Sequence, residues 1–318
     1  MSSTDTLALR VVAARWEAES VTSFEFACPD GSDLPSWEPG AHVDVHLPSG
    51  TVRQYSLCGD PAQRDRYRIA VLELPDGRGG SVEAHRELRP GRIIDIGVPR
   101  SNFALTDADR YVFVAGGIGI TPILPMIREV AARGIKWELV YGAKSDAHFA
   151  FTGELDTDSV RVVAQDTDGL IDLSRMVADS ADAAVYCCGP APLMDALVER
   201  MAAAGRDAEL HLERFGAAPV VPSGDGSGDG SFEVELARSA MVVSVRADQS
   251  VLEAVRAAGV DHPSSCEMGI CGTCETPVLS GEVDHRDDLF TDEERSGCAS
   301  MLICVSRSKG CGRLVLDL

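Results

Sequence analysis

Short alternating runs of apolar and polar residues dominate the chain from about residue 7 to residue 107. The segment 43–47 (VDVHL) is one such run, and the segment 48–50 (PSG) ends it. An apolar residue at every second position is typical of a half-buried strand, and proline, serine and glycine are typical of turns. The pattern therefore predicts an antiparallel β-barrel.

From about residue 109 to residue 215, apolar strands alternate with helical stretches. We predict strands at 111–115, 137–141 and 184–187 and helices at 123–133 and 192–204. Alternation of strands and helices is typical of an α/β domain with a parallel sheet.

The segment 216–230 is rich in glycine, serine, proline and aspartate and has no periodic apolar pattern, which indicates a linker. The residues after it are numerous enough for a small domain. The predicted organisation is a barrel domain over 1–107, an α/β domain over 108–215, the linker, and a third domain over 231–318.

The chain has 318 residues, of which 45% are hydrophobic, and a formal net charge of −21. Such an acidic surface disfavours nucleic acids and anionic membranes as partners. The first residues do not resemble a signal peptide, and the longest uncharged run, 111–127, is too short and too rich in glycine and proline to span a bilayer. Ten cysteines in such a chain suggest thiols and metal ligands in a reducing compartment, so we expect a cytoplasmic protein.

The strongest chemical signal is a set of four cysteines with uneven spacing: Cys266, Cys271, Cys274 and the distant Cys304. Three thiolates with gaps of four and two residues, followed by a remote fourth, match the spacing of a plant-type [2Fe–2S] site. Gly269 and Gly272 would let the backbone turn its N–H groups toward the sulfurs. The alternative is a structural zinc site, although zinc ribbons usually carry two Cys-x2-Cys pairs.

The remaining cysteines and the histidines are not predicted to bind metals. Four cysteines are predicted to be small buried residues: Cys28, Cys58, Cys298 and Cys311. The histidines show no metal-like clustering and are predicted to be surface or hydrogen-bonded side chains: His42, His46, His85, His148, His211, His262 and His285.

Two segments of the predicted barrel could bind a flavin phosphate. The first consists of Arg53, Gln54, Tyr55 and Ser56, in which the arginine can form a fork with a phosphate and the tyrosine can pack against a flavin. The second is a glycine-rich turn with Gly79, Gly80 and Ser81, which opens a helix running to about Leu88. We predict Ser81 as the N-cap of this helix and a phosphate site at its free N–H groups.

Two turns in the α/β part are candidates for binding a nicotinamide nucleotide. After the strand 111–115 come Gly116, Gly117, Gly119 and Thr121, with Pro122 in the first helical turn. After a later strand come Cys188, Gly189 and Pro190, at the carboxyl edge of the predicted sheet, where α/β proteins bind ligands.

Taken together, these segments resemble the ferredoxin–NADP reductase superfamily. The resemblance implies that Ser56 contacts the flavin N5 edge, that Cys188 lies near the nicotinamide, and that the segment 213–215, ending in Phe215, returns to cover this site. Residues 231–318 resemble a plant-type ferredoxin domain, an α+β (β-grasp) fold that opens with a hairpin over 231–245 and a helix over 250–259.

The domain order resembles that of the phthalate dioxygenase reductase family, which includes vanillate demethylase reductases. The resemblance implies FMN, a [2Fe–2S] cluster and NADH, although Lys144 and Ser145 could accept a 2′-phosphate that Asp146 would disfavour. It implies hydride transfer from NADH to FMN and then single-electron transfer through the cluster to a Rieske-type terminal oxygenase.

Three questions stay open at this stage. The chain could instead be a stand-alone NADH reductase of quinones, ferric chelates or cytochromes, or a redox-sensing module. A run of acidic side chains could dock on a basic partner, although a solvated face is the favoured interpretation: Asp284, Asp287, Asp288, Asp292, Glu293 and Glu294.

Overall fold

The computed structural model describes residues 6–77, 79–155, 157–215, 230–264, 267, 269, 272–287, 289–297 and 299–318. Cys266, Cys271, Asp288, Cys298 and nearly all of the predicted linker lie outside the described residues. The chain forms two compact units, Met1–Phe215 and Gly216–Leu318. Among the helices of the described ranges, none is both long enough and apolar enough to cross a membrane.

The first part of unit one is a seven-stranded sheet whose neighbouring strands are antiparallel. Its elements are β1 (Thr6–Ala18), β2 (Val21–Ala27), β3 (Ala41–His46), β4 (Val52–Ser56), β5 (Tyr67–Leu72), α1 (Gly80–Glu87), β6 (Ile93–Gly97) and β7 (Arg100–Ser101). The strands are ordered β4-β3-β6-β1-β2-β5, with β7 beside β3. A bridge between Leu57 and Ile69 joins β4 to β5 and closes the barrel, so the predicted barrel is confirmed.

Alternation along β3 explains the two faces of this barrel. Val43 and Val45 belong to the barrel core, whereas His42 and Asp44 point to the opposite face. His42 pairs with Ser56 across the strands, so the residue at the end of β4 lies on the same face.

The second part of unit one is a five-stranded parallel sheet with helices. Its elements are β8 (Arg110–Gly116), α2 (Ile120–Ala132), β9 (Lys136–Ala143), β10 (Val160–Ala164), α3 (Gln165–Asp168), α4 (Leu173–Asp179), β11 (Ala184–Cys188), α5 (Ala191–Ala203) and β12 (Leu210–Glu213). The order is β10-β9-β8-β11-β12, so the direction of winding reverses between β8 and β11. Ligands of such sheets bind at the carboxyl ends of the strands at this reversal.

A shared carboxylate joins the barrel to the parallel sheet. Glu154 accepts two hydrogen bonds from Arg68 of β5, at 2.7 and 2.8 Å, and also pairs with Arg128 of α2. Arg128 donates to the carbonyl oxygen of Gly59 at 2.6 Å, just beyond the barrel strand β4. One carboxylate is therefore anchored by an arginine of the barrel and by an arginine of the helix that follows β8.

Unit two is a mixed sheet with one main helix. Its elements are β13 (Phe232–Leu236), β14 (Met241–Val245), α6 (Val251–Ala257), β15 (Glu275–Ser280), β16 (Val283–Asp284), α7 (Asp292–Gly297), β17 (Ser300–Leu302), β18 (Arg307–Ser308) and β19 (Leu314–Leu316). The order is β14-β13-β19-β15-β17, with β13 and β19 parallel. Ser250 and Glu253 form a capping box that starts α6. The predicted hairpin and helix are confirmed, as is the α+β class.

Candidate functional site

Arg53 of β4 lies directly against the start of α1. A Cβ atom placed on Gly80 would lie 2.4 Å from Nε of Arg53, so a larger residue at position 80 would displace the guanidinium. Gly79 takes the N-cap position with a φ of 79°, a left-handed conformation that suits glycine. The guanidinium and the free N–H groups of the helix start therefore converge, which is the arrangement that binds a phosphate.

The prediction that Ser81 caps this helix is wrong. The helix begins at Gly80, so Ser81 lies inside its first turn, and its Oγ accepts a hydrogen bond from the Leu74 amide at 3.0 Å. The hydroxyl thus ties the end of the β5 region to the helix, and the cap is the left-handed glycine before it.

Gln54 and Tyr55 occupy the middle of β4. The Nε2 atom of Gln54 is buried and has no hydrogen-bond partner within the described ranges, so it is available to a ligand acceptor. Tyr55 packs against the barrel core, and burial raises the pKa of its hydroxyl to about 12. The tyrosine therefore presents a neutral ring at ordinary pH.

Ser56 at the end of β4 meets Glu213 at the end of β12. The distance between Ser56 Oγ and Glu213 Oε2 is 3.4 Å. Burial raises the pKa of Glu213 to about 8, against a smaller lowering by the hydrogen bond from Ser56. A carboxyl group that holds a proton near neutral pH therefore lies beside the serine predicted to contact the flavin.

The sequence pattern did not single out the side chain of Glu213, because a glutamate at a strand end is usually solvated. Its neighbour Arg214 pairs with Asp195 at 2.7 Å, and Phe215 is 38% exposed. The position of Glu213 at the start of the segment 213–215, which the family resemblance places over the site, is the signal that could have indicated a role.

The two predicted nucleotide turns meet at the reversal between β8 and β11. A Cβ on Gly116 would lie 2.5 Å from Cδ of Pro190, and one on Gly119 would lie 2.2 Å from the carbonyl oxygen of Cys188. Gly117 adopts a φ of 54°, and Thr121 donates its hydroxyl to the carbonyl of Ile118 at 3.0 Å. The turns 116–121 and 188–190 are thus packed backbone to backbone.

Cys188 is fully buried and is the strand partner of Glu213. Burial raises the pKa of this thiol well above its ordinary value, and Glu213 adds to the effect. Ser56, Glu213 and Cys188 therefore form a neighbouring set of neutral polar groups at ordinary pH.

Asp146 lies after β9, in a short 3₁₀ helix, Asp146–His148, and is exposed. Ser145 is engaged locally, because its Oγ is 2.8 Å from Nδ1 of His148. Lys144 is exposed as well.

Cys274 and Cys304 are both buried and both lie in turns beside strands, as expected for ligands of a compact cluster. The Ile303 amide donates to the Cys274 carbonyl at 3.4 Å, which brings the two turns together. Gly269 and Gly272 have φ values of 76° and 72°, which glycine adopts without strain. The described part of this site fits a thiolate-bound cluster, and Cys266 and Cys271 lie outside the described residues.

Several plainer predictions were wrong. Cys28 and Cys311 are only half-buried, whereas Cys58 is buried as predicted. His42 and His46 have a buried Nε2 without a partner among the residues described, whereas His285 is hydrogen-bonded as predicted, with its Nδ1 3.3 Å from Oδ1 of Asp287. Burial, with a smaller contribution from Arg100, lowers the pKa of His42 to about 4. Asp287 is 3% exposed and so does not belong to a solvated acidic face.

Comparison with known proteins adds independent support. The family model for the oxidoreductase NAD-binding domain matches residues 113–199, and the model for the 2Fe-2S iron-sulfur cluster binding domain matches residues 234–309. The solved structure of phthalate dioxygenase reductase is 37% identical, covers 98% of both chains and gives a TM-score of 0.76. The chain belongs to the phthalate dioxygenase reductase family.

Other relatives extend this picture. Vanillate O-demethylase oxidoreductase of Pseudomonas putida is 43% identical over 97% of this chain and 98% of its own length. An intact type IV self-sufficient cytochrome P450 monooxygenase is 40% identical with a TM-score of 0.83, and this chain spans 42% of its length. Membership of the phthalate dioxygenase reductase family confirms the predicted fold class, the oxidoreductase class, an NAD-binding domain and an iron–sulfur rather than a zinc centre.

Proposed function

We propose that this chain is the NADH-dependent reductase component of an oxygenase system and that its flavin is FMN. When bound, FMN accepts a hydride from NADH and releases electrons singly, which matches a two-electron donor to a one-electron cluster. The [2Fe–2S] cluster then passes these electrons to a terminal oxygenase. The proposal rests on the family and on the convergence of Arg53 with the start of α1.

The domain boundaries follow the sheets. The FMN domain is assigned to 1–107, the NADH domain to 108–215, the linker to 216–230 and the cluster domain to 231–318. The last barrel strand ends at Ser101 and the parallel sheet begins at Arg110, which supports the first boundary. The division of the chain into two units at Phe215 supports the second.

The FMN phosphate is assigned to the guanidinium of Arg53 and the N–H groups at the start of α1. Gln54 offers a buried amide donor, and Tyr55 a neutral ring. The full set of proposed FMN residues is Arg53, Gln54, Tyr55, Ser56, Gly79, Gly80 and Ser81. An eight-residue helix whose cap is a left-handed glycine leaves its first amides open to an anion.

NADH is assigned to the crevice between β8 and β11. Nothing lies within 4 Å of the Cβ position at Gly117, so a dinucleotide can approach the backbone closely there. Asp146 is exposed beyond β9 and disfavours a 2′-phosphate, while the Ser145 hydroxyl is bonded to His148. The full set of proposed NADH residues is Gly116, Gly117, Gly119, Thr121, Asp146, Cys188, Gly189 and Pro190.

Three side chains are assigned to the reacting centre: Ser56, Cys188 and Phe215. Ser56 would hydrogen-bond the reactive edge of a bound flavin, and Glu213, 3.4 Å from the serine hydroxyl, would hold or accept a proton there. Cys188 is neutral and buried, so it provides a tightly packed wall for the nicotinamide without adding charge. Phe215, partly exposed at the end of the first unit, covers the site against water.

The cluster is assigned to Cys266, Cys271, Cys274 and Cys304, and the electron acceptor to a Rieske-type oxygenase. The names of the relatives support an oxygenase, since they include reductase subunits of phthalate 4,5-dioxygenase and a tert-butanol monooxygenase. A cytochrome P450 is the second candidate. The whole of this chain resembles one segment of a self-sufficient P450.

An anaerobic visible spectrum of the purified protein, before and after one equivalent of NADH, tests the proposal. We expect flavin bands over broad iron–sulfur absorption, both bleached by NADH, and FMN rather than FAD in the denatured supernatant. A protein that lacks flavin or does not respond to NADH would refute the reductase assignment.

The acceptor is then tested by stopped flow with a Rieske oxygenase and a P450 from the same source. We expect rapid oxidation of the NADH-reduced reductase by the Rieske protein. Rapid oxidation by the P450 alone would replace the first candidate with the second.

A further inference from the structure

Asp287 is a buried carboxylate that the proposed electron path does not use. It belongs to the acidic run near the end of the chain, yet its exposure is only 3%. Its neighbour in that run, Asp284, instead pairs with Arg286 at 2.7 Å and is partly exposed. An aspartate is rarely buried to this degree unless its oxygens are hydrogen-bonded.

The Asp287 carboxylate links three parts of unit two. Oδ2 accepts a hydrogen bond from the Phe290 amide at 3.0 Å, and Oδ1 accepts one from Ser306 Oγ at 3.2 Å. Oδ1 also lies 3.3 Å from Nδ1 of His285. Because Ser306 follows Cys304 by two residues, this carboxylate is bonded to the segment that delivers the last cluster ligand.

Asp287 and Leu289 also lie against Gly269 and Gly272, two glycines of the sequence segment that carries the other three ligands. A Cβ on Gly269 would lie 3.1 Å from Cα and 3.3 Å from Cβ of Asp287. A Cβ on Gly272 would lie 3.0 Å from Cδ2 of Leu289. The backbone at Gly269 and Gly272 is therefore in contact with Asp287 and Leu289, which restricts where these two glycines can lie.

We propose that Asp287 is a positioning residue that holds the ligand loop against the Cys304 segment and that its negative charge lowers the reduction potential of the cluster. The inference rests on the cluster assignment above. The reduced cluster carries one more electron, and a fixed negative charge nearby in a poorly screened interior disfavours that electron. Buried hydrogen bonds from an amide, a hydroxyl and an imidazole keep the charge in one place.

Asp287→Asn in the full-length protein tests the charge, because asparagine has nearly the same shape. We expect the ratio of reduced to oxidised cluster at a fixed ambient potential to rise about tenfold. This change corresponds to a rise of about 59 mV in the reduction potential of a one-electron couple. An electron paramagnetic resonance redox titration measures this ratio directly, independently of NADH turnover.

Asp284→Asn is the matched control, because that carboxylate is already paired with Arg286 and reaches solvent. We expect less than a threefold change in the same ratio. An unchanged ratio in Asp287→Asn, or equal changes in both variants, would overturn the role of the charge. Absence of any cluster signal in the unmodified protein would instead refute the cluster assignment itself.

Ser306→Ala tests the positioning role, because it removes the hydroxyl that donates to Asp287 and accepts from the Arg286 amide, and it keeps the charge. We expect a chelator to remove the cluster from this variant several times faster than from the unmodified protein. The reduction potential of the cluster should be nearly unchanged. If Asp287→Asn retains no cluster, retention by Asp284→Asn supports positioning, and equal loss in both overturns it. Unchanged loss rates in Ser306→Ala and Asp287→Asn would also overturn it.

Discussion

At the scale of single residues, the contact between Arg53 and Gly80 determines how the proposed flavin site is built. The guanidinium occupies the volume that a side chain at position 80 would fill, with a Cβ only 2.4 Å from Nε. A glycine at that position therefore lets the guanidinium lie against the start of the helix.

Replacing Arg53 with glutamine removes a charged donor to the phosphate while keeping a polar side chain. We expect FMN to bind about 10- to 100-fold more weakly, a loss of about 1.5–3 kcal/mol, which is typical of a hydrogen bond to a charged group. Flavin fluorescence on titration of the flavin-free protein measures this affinity. Arg92→Gln is the control, since Arg92 pairs with Glu87 on the barrel surface, and equal weakening in both variants would contradict the assignment.

The raised pKa of Glu213 predicts that the stability of the protein depends on pH. Its folded-state pKa of about 8 exceeds that of an exposed glutamate, so the folded chain binds more protons than the unfolded chain between these two values. The contribution to stability is therefore complete at low pH and is lost as the pH rises through about 8. Replacement by glutamine removes this dependence.

Urea unfolding of the flavin-free protein at about pH 5 and about pH 9 measures the effect. We expect the unmodified protein to lose at least about 1 kcal/mol more than Glu213→Gln over this interval, because one pKa unit corresponds to about 1.4 kcal/mol. Glu209→Gln, which alters an exposed partner of Arg206, should behave like the unmodified protein. Identical pH profiles for all three proteins would show that Glu213 titrates normally.

At the scale of elements, the two turns at the β8–β11 crevice are joined by backbone contacts. Gly119→Ala would place a methyl group 2.2 Å from the Cys188 carbonyl oxygen, and neither backbone can move far without disturbing its strand. We expect a loss of about 1–3 kcal/mol in stability, as for other overpacked sites, and a higher KM for NADH. Thermal unfolding and steady-state kinetics measure the two effects.

Gly153→Ala is the control for this substitution, because nothing lies within 4 Å of the Cβ position at Gly153. It should leave both stability and KM nearly unchanged. Similar losses in the two variants would mean that the effect is a general cost of replacing glycine.

The elements also show how far the sequence could predict the fold. Period-two alternation in 43–47 predicted the barrel strand, and the apolar run 111–115 predicted β8, because both patterns report burial directly. The start of α1 was misplaced because the usual sign of an N-cap is a serine hydroxyl. Here Gly79 takes that position with a left-handed backbone. Local sequence can thus identify an element and still miss the residue that ends it.

Some residues of the candidate site could likewise be predicted from the sequence, and others could not. The Arg53–Ser56 segment and the two glycine turns are continuous in sequence, so their chemistry could be read without a structure. Glu213 is 157 positions from Ser56, and Asp287 is 19 positions from Ser306. Contacts between strands brought these carboxylates into place, and an acidic residue in a polar run gives no local sign that it is buried.

At the scale of the whole molecule, reduction of the flavin and onward electron transfer are assigned to different units of the chain. Cys304→Ser would remove a cluster ligand in unit two and leave the barrel and parallel sheet of unit one unaltered. We expect NADH to bleach the flavin at close to its normal rate, while single-electron reduction of cytochrome c falls at least about tenfold. Stopped-flow absorbance follows both processes.

Cys311→Ser serves as the control, because Cys311 is half-buried and is not among the proposed ligands. It should retain both activities. Full cytochrome c reduction by Cys304→Ser would show that electrons leave the protein directly from the flavin.

Hydride transfer depends steeply on the distance between donor and acceptor, and here the two are assigned to separate sheets of one unit. Glu154 is bound by Arg68 of the barrel strand β5 and by Arg128 of α2, and it is not among the residues proposed to bind either cofactor. Loss of that carboxylate would remove a contact between the two parts of the unit and would change none of those residues. The tolerance of the reaction to mutation is therefore set partly by residues that a map of ligand contacts would omit.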